Sequence, residues 1–204
     1  MVSFMEEKKL DIRQFLNINT LIIAVNVLLF MWLSMIGDTR NGAFLLNFGA
    51  MYPEFLQQGE WWRLVTAMFL HFGIEHLLSN MFMLWFVGNM LLKALKPWQY
   101  AIVYLISGLG GSLASYEMMI LAHDYAISAG ASGAIYGIVG ALFWVVLRHG
   151  GRFETIRTKQ MVLAVVCYVS YGFTTEGVDA WAHLGGMVAG FLMTAILYHP
   201  KKQD

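Results

Sequence analysis

The chain has 204 residues, of which 58% are hydrophobic and only 13% are charged, well below the roughly 25% charged content of soluble domains. Thirteen Lys and Arg residues balance thirteen Asp and Glu residues, so no net positive charge favours nucleic acid as a partner. The single cysteine, Cys167, cannot form an intramolecular disulfide and argues against cysteine-based chemistry. This composition favours an integral membrane protein, and the length predicts one domain over residues 1–204.

Six segments are apolar enough to cross a bilayer, which takes about 20 residues per helix. They cover residues 18–36, 63–92, 99–121, 131–147, 160–175 and 180–198. The first follows a short charged segment, residues 1–17, without a small-residue cleavage site, so we interpret it as a retained helix. The fifth is short for a complete span. The predicted fold is all-α, a polytopic bundle of six transmembrane helices.

The basic residues predict how this bundle is oriented. Eleven Lys and Arg residues fall on one side: Lys8, Lys9, Arg13, Lys93, Lys96, Arg148, Arg152, Arg157, Lys159, Lys201 and Lys202. Only Arg40 and Arg63 fall on the other side. Because cytoplasmic connections carry the excess of basic residues, both termini are predicted to be cytoplasmic and residues 37–62 to lie outside.

The outer segment between the first and second helices is long and unusually apolar. Its apolar residues are Phe44, Leu45, Leu46, Phe48, Met51, Tyr52, Phe55 and Leu56. A solvated connection would not need them, so this segment is predicted to lie in the membrane interface.

Polar residues inside the spans mark candidate functional positions, because unpaired polar groups are costly in hydrocarbon. They occur at three places: His71, His76 and Asn80 in the second span, Ser132 at the start of the fourth, and His183 at the start of the sixth. The predicted topology puts all three places toward the outer leaflet. Residues from three helices are therefore expected to meet at one depth.

Ser132 has the surroundings that a nucleophilic serine requires. Gly130 and Gly133 allow close approach of the backbone, and a helix start leaves N–H groups free to hold an oxyanion. His183 enters its helix at the same depth and is the candidate base. A single serine in a membrane helix more often bonds to its own backbone or packs as a small residue, so the interpretation depends on this combination.

Glycines predict that the helices carrying these two residues approach closely. Gly186 and Gly190 follow His183 at G-x-x-x-G spacing, and further glycines follow Ser132. Such glycines alone more often pack a bundle than mark a catalytic site. Tyr136, one turn after Ser132, faces the same side and could support an imidazole by stacking, although a packed core tyrosine is the usual alternative.

His76 and Asn80 lie four residues apart, so both side chains share one helix face and can donate to one point. His71 would lie about 140° from His76 around a helix, which argues against a zinc site. The spacing also differs from the H-E-x-x-H pattern of zinc peptidases. Asp179, four residues before His183, is expected near the helix start and in solvent. We therefore predict a Ser-His dyad with no metal.

Four motifs, in order and over nearly the whole chain, resemble the rhomboid family of intramembrane serine proteases. They are Gly59-Glu60-Trp61-Trp62-Arg63, the run from His71 through His76 to Asn80-Met81, Gly130-Ala131-Ser132-Gly133-Ala134-Ile135-Tyr136-Gly137, and Ala182-His183-Leu184-Gly185-Gly186. The third motif alone would be a weak signal. The four together make the resemblance specific.

The resemblance implies a role for each of the central residues. Ser132 would attack the scissile carbonyl and His183 would take its proton. His76, Asn80 and the Ser132 backbone N–H would hold the oxyanion, and Tyr136 would pack against His183. No cofactor is implied.

The resemblance also implies that Trp62 and Arg63 organise the outer segment. Substrates would be single-pass transmembrane proteins, cut near the outer end of their span, with access through movement of the fifth helix. The expected location is a bacterial cell membrane, with the active site toward the extracytoplasmic side.

Two alternatives come from other functional classes. A catalytically inactive relative that binds membrane proteins is disfavoured because both Ser132 and His183 are present. A small transporter would predict internal repeats, and no convincing repeat is found in the sequence.

Overall fold

The computed structural model of the chain describes residues 16–199, and this part is mostly helical. The helices are α1 (Ile18–Ile36), α2 (Gly42–Asn47), α3 (Pro53–Gln57), α4 (Arg63–Thr66), α5 (Gly73–Leu91), α6 (Pro97–Ala122), α7 (Ser132–Arg148), α8 (Thr158–Thr174) and α9 (Ala180–Leu197). Strands β1 (Arg152–Phe153) and β2 (Ile156–Arg157) form an antiparallel hairpin between α7 and α8. The described part is mostly helical, as the sequence predicts, and this short hairpin is an addition that was not predicted.

Some of the predicted features lie outside the described residues. These are most of the N-terminal segment 1–17 and the basic residues Lys8, Lys9, Arg13, Lys201 and Lys202.

The predicted second segment, 63–92, is wrong in its first third. Arg63–Thr66 forms the short α4, a 3₁₀ turn follows at Ala67–Phe69, and α5 begins only at Gly73. Gly73 has a φ of 76°, a left-handed conformation that a helix interior does not contain. His71 therefore precedes α5, and the angle predicted between His71 and His76 on one helix does not apply.

Three of the described helices, α1, α6 and α9, are long and apolar enough to cross a membrane. Helix α7 is apolar but one residue shorter than the shortest of these, with 17 residues against 18 in α9. Helix α5 carries Glu75, His76, Ser79 and Asn80, and α8 begins with Thr158, Lys159 and Gln160. These polar residues lower the hydropathy of α5 and α8, so the count of six spans stays a prediction.

Side-chain caps fix the starts of several helices. Asn17 accepts the Thr20 N–H at 3.0 Å before α1, and Asp179 accepts the Ala182 N–H at 2.9 Å before α9. Such bonds satisfy N–H groups that have no carbonyl partner within the helix. The Asp179 cap matters most for function, because it fixes the turn of α9 that carries His183.

Helix α7 lies at the centre of the bundle, packed against α5, α6 and α9. Glycine permits the closest of these contacts: a Cβ at Gly186 of α9 would overlap the Gly133 carbonyl of α7, and one at Gly190 would overlap the Gly137 carbonyl. Without side chains at these positions the two backbones touch directly. The starts of α7 and α9 are thereby held side by side.

The two ends of the bundle differ in charge. At one end, Lys93 after α5 forms an ion pair with Glu154 of the β1–β2 hairpin at 3.0 Å, and Gln99 donates to the Leu197 carbonyl at 2.8 Å. The C-terminal ends of α5, α7 and α9 therefore lie together with the described basic connections. Ser132 and His183 lie in the first turns of α7 and α9, at the opposite end.

Arg63 organises the segment between α1 and α5. It is 6% exposed, pairs with Glu60 at 2.6 Å, and donates to the carbonyls of Leu46 and Ala50 at 2.6 and 3.0 Å. Its guanidinium also lies 4.7 Å from the centre of the exposed Trp62 ring. A buried arginine needs such acceptors on every side.

Some of the apolar side chains of this segment pack inside the protein. Leu45, Met51 and Leu56 are fully buried. The segment is therefore a packed structure rather than an open loop, and its location in the membrane interface stays a prediction.

Candidate active site

Ser132 is the first residue of α7, at the end of the bundle away from the basic connections. The chain reaches it through Gly130, whose φ of 144° is rarely adopted by other residues. In this first turn the backbone N–H groups have no helical carbonyl partner. The hydroxyl and unpaired N–H groups thus occur together at one helix start.

His183 contacts the Ser132 hydroxyl directly. Its Nε2 lies 2.9 Å from Ser132 Oγ, a hydrogen-bond distance across two helices that are 51 residues apart in sequence. The His183 side chain is largely buried, with 8% of the residue exposed. This distance is the one that proton transfer from a hydroxyl to an imidazole requires.

Two further features orient the His183 ring. The Tyr136 ring stacks on it nearly in parallel, with centroids 3.8 Å apart and planes 8° apart. The second ring nitrogen, Nδ1, is buried and has no hydrogen-bond partner among residues 16–199. Packing against Tyr136, rather than a carboxylate, therefore sets the orientation of the imidazole.

His76 approaches the same point from α5. A methyl group added at Gly130 would lie 3.0 Å from His76 Nε2 and 3.7 Å from Ser132 Oγ, so both atoms face the Gly130 backbone. The Phe72 N–H donates to His76 Nδ1 at 3.3 Å. This bond assigns the proton of the neutral ring to Nε2, which is then a donor directed at the Ser132 region.

Asn80 lies one turn after His76 on the same face of α5 and is 6% exposed. Its Nδ2 donates one hydrogen to the His76 carbonyl at 2.9 Å, and an amide nitrogen carries two hydrogens. His71 is 1% exposed and contacts the His76 ring edge to face, with centroids 5.3 Å apart, but it does not line the cavity that Ser132, His183, His76 and Asn80 share. The structure thus brings together four of the five predicted polar residues.

A cavity of about 830 Å³ connects these side chains. Its lining includes Ser132, His183, His76, Asn80 and Tyr136, and on α8 it includes Cys167, Tyr168 and Tyr171. Between α5 and α8, the Tyr168 hydroxyl donates a long hydrogen bond to Met83 Sδ at 3.8 Å. The cavity is therefore bounded on one side by a helix with few ties to α5.

The prediction that Asp179 lies in solvent is wrong. Its carboxylate is partly buried, borders the cavity and accepts the hydroxyls of Ser115 and Ser128 at 2.6 and 2.7 Å. The sequence contained partial signals for this cluster, since an Asp just before an apolar helix is a cap and Ser115 is polar within a span. The convergence of three separate segments on Asp179 could not be read from one sequence.

Comparison with known proteins identifies the family. The Rhomboid domain model matches residues 58–200, more than two thirds of the chain. Rhomboid protease GluP of Bacillus subtilis (strain 168) is 36% identical over 181 residues, which are 89% of this chain and 35% of GluP. In Arabidopsis thaliana, RHOMBOID-like protein 5 is 36% identical over 75% of this chain and 49% of its own length. RHOMBOID-like protein 7 is 34% identical over 77% of this chain and 50% of its own length.

The chain spans about a third of GluP and about half of the two plant proteins. The matched region includes the segment from Arg63 to α9, and hence Ser132, His183, His76 and Asn80. The extent of the domain match and the identity to these relatives agree, and the chain belongs to the rhomboid family.

Proposed function

We propose that this chain is an intramembrane serine endopeptidase in which Ser132 is the nucleophile and His183 the general base. The observation that carries the proposal is the 2.9 Å hydrogen bond between Ser132 Oγ and His183 Nε2, made inside a cavity at the start of two helices. Membership of a family whose relative GluP is named a rhomboid protease supports it.

The reaction would proceed by acyl transfer. Ser132 Oγ attacks the scissile carbonyl carbon while His183 Nε2 takes the hydroxyl proton. His183 then gives that proton to the departing amine, which leaves an ester on Ser132. A water molecule, deprotonated by the same nitrogen, attacks the ester carbonyl, and the acid product leaves as the proton returns to Ser132 Oγ.

The negative charge on the tetrahedral intermediate needs donors on one side of Ser132. The Nε2–H of His76, the second amide hydrogen of Asn80 and the backbone N–H of Ser132 would supply them. The chemistry needs no metal or cofactor, since the base and the oxyanion donors are all protein groups.

The Ser-His pair would work as a dyad. In a triad a carboxylate accepts the hydrogen on the second imidazole nitrogen. Here the Asp179 carboxylate is bonded to Ser115, Ser128 and the Ala182 N–H instead. Stacking on Tyr136 would supply the orientation that the acid supplies in a triad.

The substrates would be single-pass transmembrane proteins. A transmembrane helix has its carbonyls hydrogen-bonded, so it must unwind before Ser132 can reach one, and Gly, Pro or polar residues near the cut would favour this. Entry from the bilayer would occur between α5 and α8, beside the long hydrogen bond of 3.8 Å between the Tyr168 hydroxyl and Met83 Sδ.

The protein would be a single rhomboid-like domain with six membrane spans: α1, α5, α6, α7, α8 and α9. The basic connections would lie in the cytoplasm and Ser132 near the opposite face of a cell membrane. The segment between α1 and α5 would then rest in the outer interface, where the exposed rings of Trp61 and Trp62 suit the headgroup region.

A serine-directed fluorophosphonate tests this proposal in detergent. The reagent should label the wild-type protein and fail to label Ser132→Ala. Cleavage of a transmembrane substrate should be lost in Ser132→Ala and in His183→Ala, and the double variant should be no worse than either, because the two residues act as one unit. Substantial cleavage by purified Ser132→Ala would overturn the assignment.

A further inference from the structure

The Asp179 carboxylate joins three parts of the chain. Its Oδ1 accepts the Ala182 N–H at 2.9 Å and caps α9. Its Oδ2 accepts the hydroxyls of Ser115 on α6, at 2.6 Å, and of Ser128 in the connection before α7, at 2.7 Å. A helix cap needs only the first of these bonds. The two serine bonds therefore indicate a second role.

Ser128 belongs to the segment that leads to the nucleophile, four residues before Ser132. Its backbone N–H and carbonyl both bond to Met51, each at 2.9 Å. Two residues later the Gly130 N–H donates to the Ala67 carbonyl at 2.9 Å. The backbone of this segment is thus held by Met51 and Ala67, and the Ser128 side chain is held by Asp179.

Asp179 has the matching place before the base, four residues before His183. The His183 N–H donates to the Asp179 carbonyl at 3.2 Å, so the first turn of α9 is continuous with the capping residue. Ser115, only 1% exposed, ties the same carboxylate to α6. One side chain therefore connects the approach to Ser132 with the approach to His183 and anchors both to a third helix.

We propose that Asp179 is a positioning residue that keeps Ser132 and His183 in hydrogen-bonding register without touching the reacting atoms. The proposal rests on the proposed protease function. The carboxyl group offers two oxygens, so one can cap α9 while the other holds both serine hydroxyls. A misplacement of about 1 Å in a catalytic pair can lower a rate about 100-fold, so such a tie has a measurable effect.

The experiment compares Asp179→Ala, Asp179→Asn and Ser128→Ala with the wild type. The readouts are the rate of fluorophosphonate labelling of Ser132, and kcat and KM for a transmembrane substrate. Asp179→Ala should lower kcat and the labelling rate by about 10- to 100-fold, with a smaller effect on KM. Asp179→Asn should stay within about threefold of wild type, because an amide can still cap α9 and bond to both hydroxyls.

Two controls separate positioning from general stability. Asn17→Ala removes the cap of α1 at the opposite end of the bundle and should leave labelling at the wild-type rate. Ser128→Ala keeps the α9 cap and should still slow labelling, by about 3- to 10-fold. This second variant carries the test if Asp179→Ala does not fold, and wild-type labelling of Ser128→Ala would then overturn the proposal.

Other outcomes also decide the matter. Wild-type labelling of a folded Asp179→Ala would overturn the positioning role. An equal loss in Asp179→Asn would overturn it in favour of a role for the charge of the carboxylate. If the wild type were not labelled at all, the proposed protease function would fail as well. If the wild type were labelled and the variants were labelled at the same rate, only the positioning role would be rejected.

Discussion

His76 and Asn80 project from one face of α5, and in the proposed mechanism they would contribute different donors to the Ser132 region. His76 has its proton assigned to Nε2 by the bond from the Phe72 N–H. Asn80 uses one amide hydrogen on the His76 carbonyl and keeps the second for the cavity. This bond to the His76 main-chain carbonyl fixes the Asn80 side chain, so Asn80 would act as a donor and as a brace for the first turn of α5.

Replacing Asn80 by Ala should lower the rate of substrate cleavage without abolishing it. Loss of one oxyanion donor typically lowers turnover about 100- to 1,000-fold, and His76 and the Ser132 N–H would remain. Fluorophosphonate labelling and thermal stability should change much less. Asn89→Ala is the matched control, since Asn89 donates to the Trp85 carbonyl at 2.8 Å in the same manner but far from the cavity. Cleavage by Asn80→Ala at the wild-type rate would contradict the assigned role.

The contact between α7 and α9 is the element-level basis of the site. Gly186 and Gly190 lie three and seven residues after His183. Because they have no side chains, the α9 backbone contacts the carbonyls of α7 at these positions. Van der Waals contact between small residues is a main source of helix association in lipid, where apolar side chains gain nothing over lipid tails. The Ser132–His183 bond therefore depends on the absence of side chains along this seam.

Gly186→Ala should destabilise the protein and reduce its activity together. The added methyl would overlap the Gly133 carbonyl, and overpacking of this kind costs about 1–3 kcal/mol. Val188→Leu is a matched control, because it also adds one carbon to α9 but at a position that is 50% exposed. Unfolding by denaturant in detergent measures the first effect and cleavage the second. A Gly186→Ala protein as stable as Val188→Leu would show that the helices do not touch here.

The sequence predicted the elements where length and apolarity are decisive. The bounds of α1 were predicted without error, and those of α6, α7 and α9 to within two residues. A long apolar run of this kind is typical of a helix that crosses a bilayer. The start of α5 was missed because an apolar run such as Arg63–Phe69 does not distinguish an α-helix from a 3₁₀ turn.

The environment of Asp179 was missed for another reason: its partners Ser115 and Ser128 lie 64 and 51 residues away. Local pattern carries no information at that separation.

The two ends of the helix bundle carry different features. The N-terminal ends of α7 and α9 carry Ser132 and His183. The opposite end holds the Lys93–Glu154 ion pair and the β1–β2 hairpin with Arg152 and Arg157. A 17-residue helix such as α7 is about 25 Å long, so the two ends would lie near opposite faces of a bilayer. The orientation of the protein would therefore decide on which side of the membrane the proposed protease cuts its substrates.

The distribution of basic residues predicts that the hairpin lies in the cytoplasm and the outer segment outside. Membrane-impermeant thiol reagents can test this in intact bacterial cells, in a Cys167→Ser background that removes the only native cysteine. Gln58→Cys and Thr155→Cys are suitable positions, since both are exposed, uncharged and at opposite ends of the bundle. Gln58→Cys should be labelled in intact cells and Thr155→Cys only after permeabilisation, because eleven of thirteen Lys and Arg residues fall on the hairpin side.

A reporter that is active only outside the cytoplasm should likewise stay inactive when fused after Lys202. The opposite labelling pattern, or strong reporter activity, would reverse the topology and put Ser132 near the cytoplasmic face.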